Sequence, residues 1–424
     1  MKKNIVFAFV AALVMAACSN QETIETAPAV PTAKTAQSNT RSYDEALKIA
    51  ENAIGMLEDS NSTTRNGDKC RKIDLSENKV IMRDAKTRGE SDGSDSLIYV
   101  FNFENDEGFA LVSASKNTDG LLAVTEQGHC DPETPSGIDG FDMFVDMAKE
   151  YVLAGMNSGS FEEIKDSIIV LSTSQVGPYV TVKWGQTIAE GESYPNNSAG
   201  CANIAMAQIM SYYKYPTQIK LSHNNNEIQN LNWNKMCSHD TRHYSNTCSD
   251  IVPHLSISQL CRELGVRNNS KEESGETTTI TCSIVHNTYS DLGYSNRGVW
   301  DYNYNGPYYR AELDNHHLIH VTGLRPNSLY GHDWVFDGYL TENCRVYSMH
   351  KIGNVWHYTD YSYPLVRYYN HYNWGWYGCN NGFFLENVYQ SMLSPYFDDD
   401  HVGVNKKNRD YGDAVSMLSV YPNR

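Results

Sequence analysis

Three short stretches carry residue types able to do nucleophilic chemistry. In AGCANIAMAQIM (199–210), Cys201 directly follows Gly200 at the start of a segment expected to be helical to Tyr213, with Pro216 stopping it. A helix N-terminus has unpaired N–H groups and a partial positive charge, which favour a thiolate, so Cys201 is a candidate nucleophile. A free cysteine is also commonly a small buried apolar residue, and position alone does not separate the two. In YGHDWVFDGY (330–339), His332 opens an expected strand 131 residues later (332 − 201 = 131). At a strand end it could serve as base for a thiol across a cleft. It is one of 14 histidines, however, and spacing alone gives it no privilege over His316, His317 or His357. In YNHYNWGWYGCNNGFF (369–384), Asn373 could orient an imidazole while the Trp374 indole screens that bond from water. A tight aromatic hairpin is the structural alternative, and both can hold.

These residues need elements to position them. Ser42 and Glu45 make a capping-box pattern ahead of a helix with Ala46, Ile49, Ala50, Ala53, Ile54 and Leu57 on one face. Residues 58–96 are polar and predict loops. Strands are expected at 96–103, 108–115 and 121–128, then an amphipathic helix around Phe141–Leu153. This makes a small α+β unit ending near 155, followed by a polar linker, 157–167, open to proteolysis. Further on, a helix is expected at 254–265. Strands follow at 316–324, 332–340, 344–350, 365–374, 382–388 and 414–422. Helices first and an antiparallel sheet second is an α+β order.

The chain has 424 residues and a formal charge of −17, which argues against a nucleic-acid binder. Its hydrophobic content, 40%, is enough for sizeable cores, and its length suggests two or three domains. Residues 1–18, MKKNIVFAFVAALVMAAC, place Lys2 and Lys3 before an apolar run and read as an export signal. Its end, Ala16, Ala17 and Cys18, is that of a lipobox, with Cys18 as the lipid anchor; Met15 stands where Leu is commoner, and an ordinary signal peptide is the other reading. Residues 19–40, rich in Thr, Ala and Pro, predict a flexible tether. Without a CxxC pair, an HExxH motif, an EF-hand loop or a Gly-rich phosphate loop, neither a metal nor a cofactor is expected.

The order WGQ (184–186), GCANIAMAQIMSYYKYP (200–216), GHDWVFDGY (331–339) and NWGWYGCNNGFF (373–384) resembles the streptopain family of bacterial cysteine peptidases, which have a papain-like fold. The resemblance covers roughly 176–422, and GFALVSAS and LLAVTEQG are similar to the family's inhibitory propeptide. After the signal peptide over 1–18 and the tether over 19–40, it implies an inhibitory propeptide domain over 41–160 and a papain-like peptidase domain over 161–424. It further implies Cys201 as nucleophile and His332 as base. Gln186 would donate to the oxyanion together with the Cys201 backbone N–H, Asn373 would orient His332, and Trp374 would shield that pair. Gly331, Ser274 and Trp376 would contact substrate. The expected protein is an exported, self-inhibited cysteine endopeptidase. Its partners would be protein or peptide substrates, its own propeptide as intramolecular inhibitor, and a membrane reached through the anchor, in a bacterial cell envelope. A catalytically silent adhesin or protease-inhibitor lipoprotein that keeps the fold is the alternative. Setting Cys18 and Cys201 aside leaves eight cysteines, and export permits disulfides; a Cys237–Cys248 bond across their short loop is expected.

Overall fold

The computed structural model describes residues 40–59, 71–83, 95–157, 165–186, 198–242, 248–269, 282–299, 305–324, 331–352, 355–390 and 415–423. The capping box is made as its spacing predicts. The Ser42 N–H donates to Glu45 Oε2 at 2.8 Å and the Glu45 N–H to Ser42 Oγ at 3.3 Å. It starts α1 (Tyr43–Asp59), whose Ala46, Ala50, Ala53, Ile54 and Leu57 are buried. Strands β1 (Lys79–Met82), β2 (Ser96–Asn102), β3 (Phe109–Ser113) and β4 (Leu121–Thr125) pair antiparallel in that order. Strand β1 lies within 58–96, where loops are expected; as an edge strand it buries only Ile81, so it shows no alternation. Helix α2 (Asp139–Asn157) completes this unit, burying Phe141, Phe144 and Met147.

The chain continues with β5 (Lys165–Val176), so the linker expected over 157–167 is already strand at its last three residues. Ile168 to Leu171 in β5 are all partly exposed, and a strand exposed on both faces leaves no period-2 pattern to read. Helix α3 (Cys201–Tyr213) matches its expectation. A small hairpin, β6 (Gln218–Leu221) and β7 (Glu227–Asn230), leads to α4 (Trp233–Cys237), α5 (Cys248–Arg267), α6 (Cys282–Asp291), β8 (Tyr294–Val299) and α7 (Gly306–Asp314). Strands β9 (Leu318–Leu324), β10 (Gly331–Ile352), β11 (Val355–Asn373), β12 (Gly382–Leu385) and β13 (Val415–Pro422) follow, with the short α8 (Asn387–Gln390) between the last two. The two strands expected at 332–340 and 344–350 are one strand, β10, because no Gly or Pro interrupts 341–344.

Among the described residues the main sheet has eleven strands in the order β1-β2-β3-β4-β12-β11-β10-β9-β13-β8, with β5 also on β10, every pairing antiparallel. This is the expected α+β, papain-like arrangement of helices beside an antiparallel sheet, preceded by a small α+β domain. The sequence does not indicate that both domains share one sheet. They join where β4 pairs with β12, Phe383 opposite Val124 and Phe384 opposite Ala123. The backbones approach so closely there that a Cβ on Gly382 would lie 2.3 Å from the Val124 carbonyl oxygen. Two cores result. One packs α1 and α2 with Trp334, Phe336, Tyr372, Trp374 and Phe384; the other packs α3, α5 and α6 with Val335, Leu318 and Leu418.

Cys237 is a free thiol that donates to the Ser211 carbonyl at 3.8 Å, which corrects the expected Cys237–Cys248 bond. The reason is local: Cys237 ends α4 with its sulfur turned toward Ser211 of α3.

Candidate active site

Helix α3 is buried along nearly its whole length, so its N-terminus is fixed by packing rather than by a capping side chain. Gly200, at φ 78°, takes the left-handed turn that a side chain would resist, and delivers Cys201 as the first helical residue. Asn203 closes this turn by donating Nδ2–H to the Ala199 carbonyl at 2.7 Å. The WGQ segment runs alongside. Gly185 bridges to Trp376, the Gln186 N–H donates to the Gly375 carbonyl at 3.1 Å, and the Ala199 N–H donates to the Gln186 carbonyl at 2.7 Å. Gln186 is thus held by its backbone between the cysteine turn and the NWGW segment.

Asn373 ends β11 and Trp374 follows it, beside these groups. Asn373 Oδ1 accepts from Gln208 Nε2 at 3.1 Å and from the Gly375 N–H at 3.2 Å, while its Nδ2 donates to the Val182 carbonyl at 3.3 Å. Gln208 Nε2 also donates to the Trp184 carbonyl at 3.1 Å, so this buried amide ties α3 to both the WGQ and NWGW segments. Trp374 is fully buried and donates Nε1–H to the Asn380 carbonyl at 2.9 Å.

His332 lies against Trp374, and among the described residues no hydrogen bond joins it to Cys201 or Asn373. Its Nε2 donates to the Trp374 carbonyl at 2.9 Å. Alternation along β10 sends His332, Trp334 and Phe336 toward α2 and Asp333 and Val335 toward α3. Gly140, in the first turn of α2, sits on the imidazole: a Cβ there would fall 2.6 Å from His332 Cδ2 and 2.7 Å from the Trp374 ring. The Cys201 Sγ–H donates instead to Asp333 Oδ2 at 3.7 Å. Gly331 opens β10 opposite Leu324, and Trp376 is half-buried. Ser274 and Cys18 lie outside the described residues.

The electrostatics match this separation. Burial, and then the Asp333 charge, push the Cys201 thiol well up, outweighing the backbone N–H groups of Asp333 and Ala202. Burial pushes the His332 imidazole down, against the Trp374 carbonyl and the Asp333 and Asp139 carboxylates. Both shifts favour the neutral forms, whereas nucleophilic attack requires a thiolate. Three participants are not singled out by sequence reasoning: Asp333, Gln208 and Gly140. The first two stand inside motifs already quoted; Gly140 has no local signal, since its role exists only in contact with β10.

Residues 175–384 match the Peptidase C10 family, and residues 34–152 match the Spi protease inhibitor family. Streptopain of Streptococcus pyogenes serotype M1 is 24% identical over 335 residues, which covers 70% of this chain and 75% of that protein. Streptopain of a serotype M18 strain is 24% identical over 336 residues, with the same coverage. Among solved structures, a fragment of Prevotella intermedia prointerpain A is similar at a TM-score of 0.46 and 16% identity, covering 80% of this chain and 98% of that one.

Proposed function

For a chain that is a Peptidase C10 family cysteine peptidase carrying a Spi protease inhibitor domain ahead of its peptidase domain, we propose an exported endopeptidase kept inactive by its own N-terminal domain. The observation that carries this reading is the seat of α2 on the site: Gly140 rests on His332 and Trp374, His332 bonds to the Trp374 carbonyl and Cys201 to Asp333 rather than to each other.

Removal of the inhibitor domain, 41–160, frees the α2 face of β10 and lets His332 turn to Cys201. The Sγ–H bond breaks, its proton passes to the imidazole, and the electron pair on sulfur attacks the peptide carbonyl. The oxyanion is held by the Cys201 backbone N–H and the Gln186 amide; in known enzymes such a donor contributes about 2.7–4 kcal/mol. Asn373 orients the imidazole and Trp374 keeps water from that bond. The imidazolium protonates the leaving amine, and water then releases the acyl group and restores the thiol. Gly331, Trp376 and Ser274 contact the substrate chain. Residues 1–18 direct export, Cys18 carries the lipid, and 19–40 hold the enzyme off the membrane; among the described residues no helix is long and apolar enough to cross one.

The test is expression of residues 19–424 with and without Cys201→Ala, following chain shortening and casein cleavage. The unmodified protein is expected to shorten and cleave, the variant to do neither. If the unmodified protein stays inert after trypsin nicking between 155 and 175, the reading fails.

A further inference from the structure

Asp333 follows His332 directly but belongs to the other face of β10, and it is buried, 5% exposed. Three donors converge on its carboxylate. Oδ1 accepts from His320 Nε2 at 2.9 Å and from Thr322 Oγ1 at 2.5 Å; Oδ2 accepts from the Cys201 thiol at 3.7 Å. The first two come from β9, where Thr322 stands opposite Asp333 in the register and His320 one pleat further. The other ring nitrogen of His320 meets the hydroxyl of Tyr289 from α6 at 3.2 Å, and both are buried. A carboxylate only accepts, so its position fixes His320 with the proton on Nε2. The carboxylate is therefore anchored from behind by two donors, and its free oxygen is aimed at the reacting sulfur.

We propose that Asp333, fixed by His320 and Thr322, is a catalytic residue that governs the charge state of Cys201, holding the nucleophile as a thiol until the imidazole arrives. The inference rests on Cys201 being the nucleophile. An anion this close opposes a second negative charge on sulfur and accepts a hydrogen bond that only the thiol can give. The same charge favours the imidazolium form of His332, so it biases the proton toward whichever partner is on hand. The titratable groups facing this pair are Asp333 and His332 from β10, His320 from β9, Tyr289 from α6 and, toward His332, Asp139 from α2. Of these Asp333 is the acidic group in contact with the sulfur.

The measurement is the pH dependence of Cys201 alkylation by iodoacetamide in the full chain, 19–424, read by mass spectrometry of the peptide containing Cys201. It does not require turnover. Asp333→Asn is expected to move the alkylation midpoint about one pH unit lower, and so to speed alkylation at pH 7 about tenfold through the larger thiolate fraction. Asp333→Glu, which keeps the charge, is expected to hold the midpoint near that of the unmodified chain. Asp333→Ser carries the same test if the Asn variant does not fold. An unchanged midpoint in the uncharged variants overturns the proposal, as does an equal fall in the Glu variant, which would make the effect one of packing. Failure of the nucleophile assignment itself would be seen separately, as casein cleavage surviving Cys201→Ala.

Discussion

The two faces of β10 hold neighbouring residues in opposite chemistry. Toward α2 the strand presents His332, Trp334 and Phe336, an aromatic row in a mostly apolar core, with Trp334 and Trp374 centroids 5.2 Å apart. Toward α3 it presents Asp333, Val335 and Asp337, where one carboxylate collects donors at Cys201 and another accepts from the Val180 N–H at 2.7 Å and from His371 Nδ1 at 2.6 Å. One face is a seat for the inhibitor domain; the other is a polar frame for the thiol. A strand gives adjacent residues to opposite faces, so a single peptide step separates the group that the inhibitor covers from the group that holds the sulfur.

One buried ion network joins the inhibitor domain to β10 and β11. Arg367 Nε on β11 donates to Asp119 of the inhibitor domain at 2.7 Å and its Nη1 to Glu342 on β10 at 3.4 Å, with all three side chains largely buried. Arg367→Met leaves two carboxylates without their cation. Loss of one partner of a buried pair costs about 3–5 kcal/mol, so this variant is expected to lower the unfolding midpoint in urea most and to shed the inhibitor domain first. An unaltered midpoint would mean that the apolar seat alone holds the domain.

Next in size is the close approach at Gly140. Gly140→Val places a branched side chain where even a Cβ lies under 3 Å from two rings. Overpacking of this kind costs about 1–3 kcal/mol, which at tenfold per 1.4 kcal/mol predicts self-processing roughly five- to hundredfold faster. An unchanged lag would show that the His332 seat does not contribute to inhibition. On the opposite face, Gln208→Ala strips Asn373 Oδ1 of one donor and the Trp184 carbonyl of its own. Leaving buried groups unsatisfied costs about 1–3 kcal/mol. The expected signature is a loss of stability together with a fall in kcat, since Asn373 would be less well held; stability loss alone would limit Gln208 to the scaffold.

Much of this arrangement is legible before any coordinates. Cys201 at the start of a helix, the capping box at Ser42 and Glu45, and most strands of the sheet follow from local pattern, because each depends on neighbours within a few residues. Helix α7 shows a signal that the strand-rich reading passes over: Asn305 accepts from the Tyr308 N–H at 3.2 Å and Pro307 follows in the first turn. Pro364 sits inside β11, which pattern rules discourage, but β11 pairs with β12 over Tyr369–Tyr372 and, among the described residues, has no partner on that side at Pro364. The roles of Asp333 and Gly140 are not local at all. Asp333 depends on which face of β10 meets α3, and Gly140 on the docking of one domain onto another. A single sequence records neither.

The smallest expected effect separates the two faces by pH alone. Buried against Trp374 and Gly140, His332 has its pKa held below the ordinary histidine value, so the folded, inhibited state prefers the neutral ring. Its contribution is fully present above the unfolded value near 6.5 and is lost as pH falls through the folded value. His371, one strand away on β11, runs the other way. Burial lowers its pKa, but the Asp337 carboxylate at 2.6 Å more than reverses this, so its contribution is present below about 6.5 and lost as pH rises. Acid should therefore loosen the inhibitor seat at His332 while the His371–Asp337 pair stays made. In the Cys201→Ala chain, amide exchange of α2, corrected for intrinsic rates, is expected to rise between pH 7 and 5, and His332→Gln should remove that rise. If the Gln variant loosens with acid as much as its parent, the sensitivity belongs to the carboxylates at Arg367 and not to the histidine under Gly140.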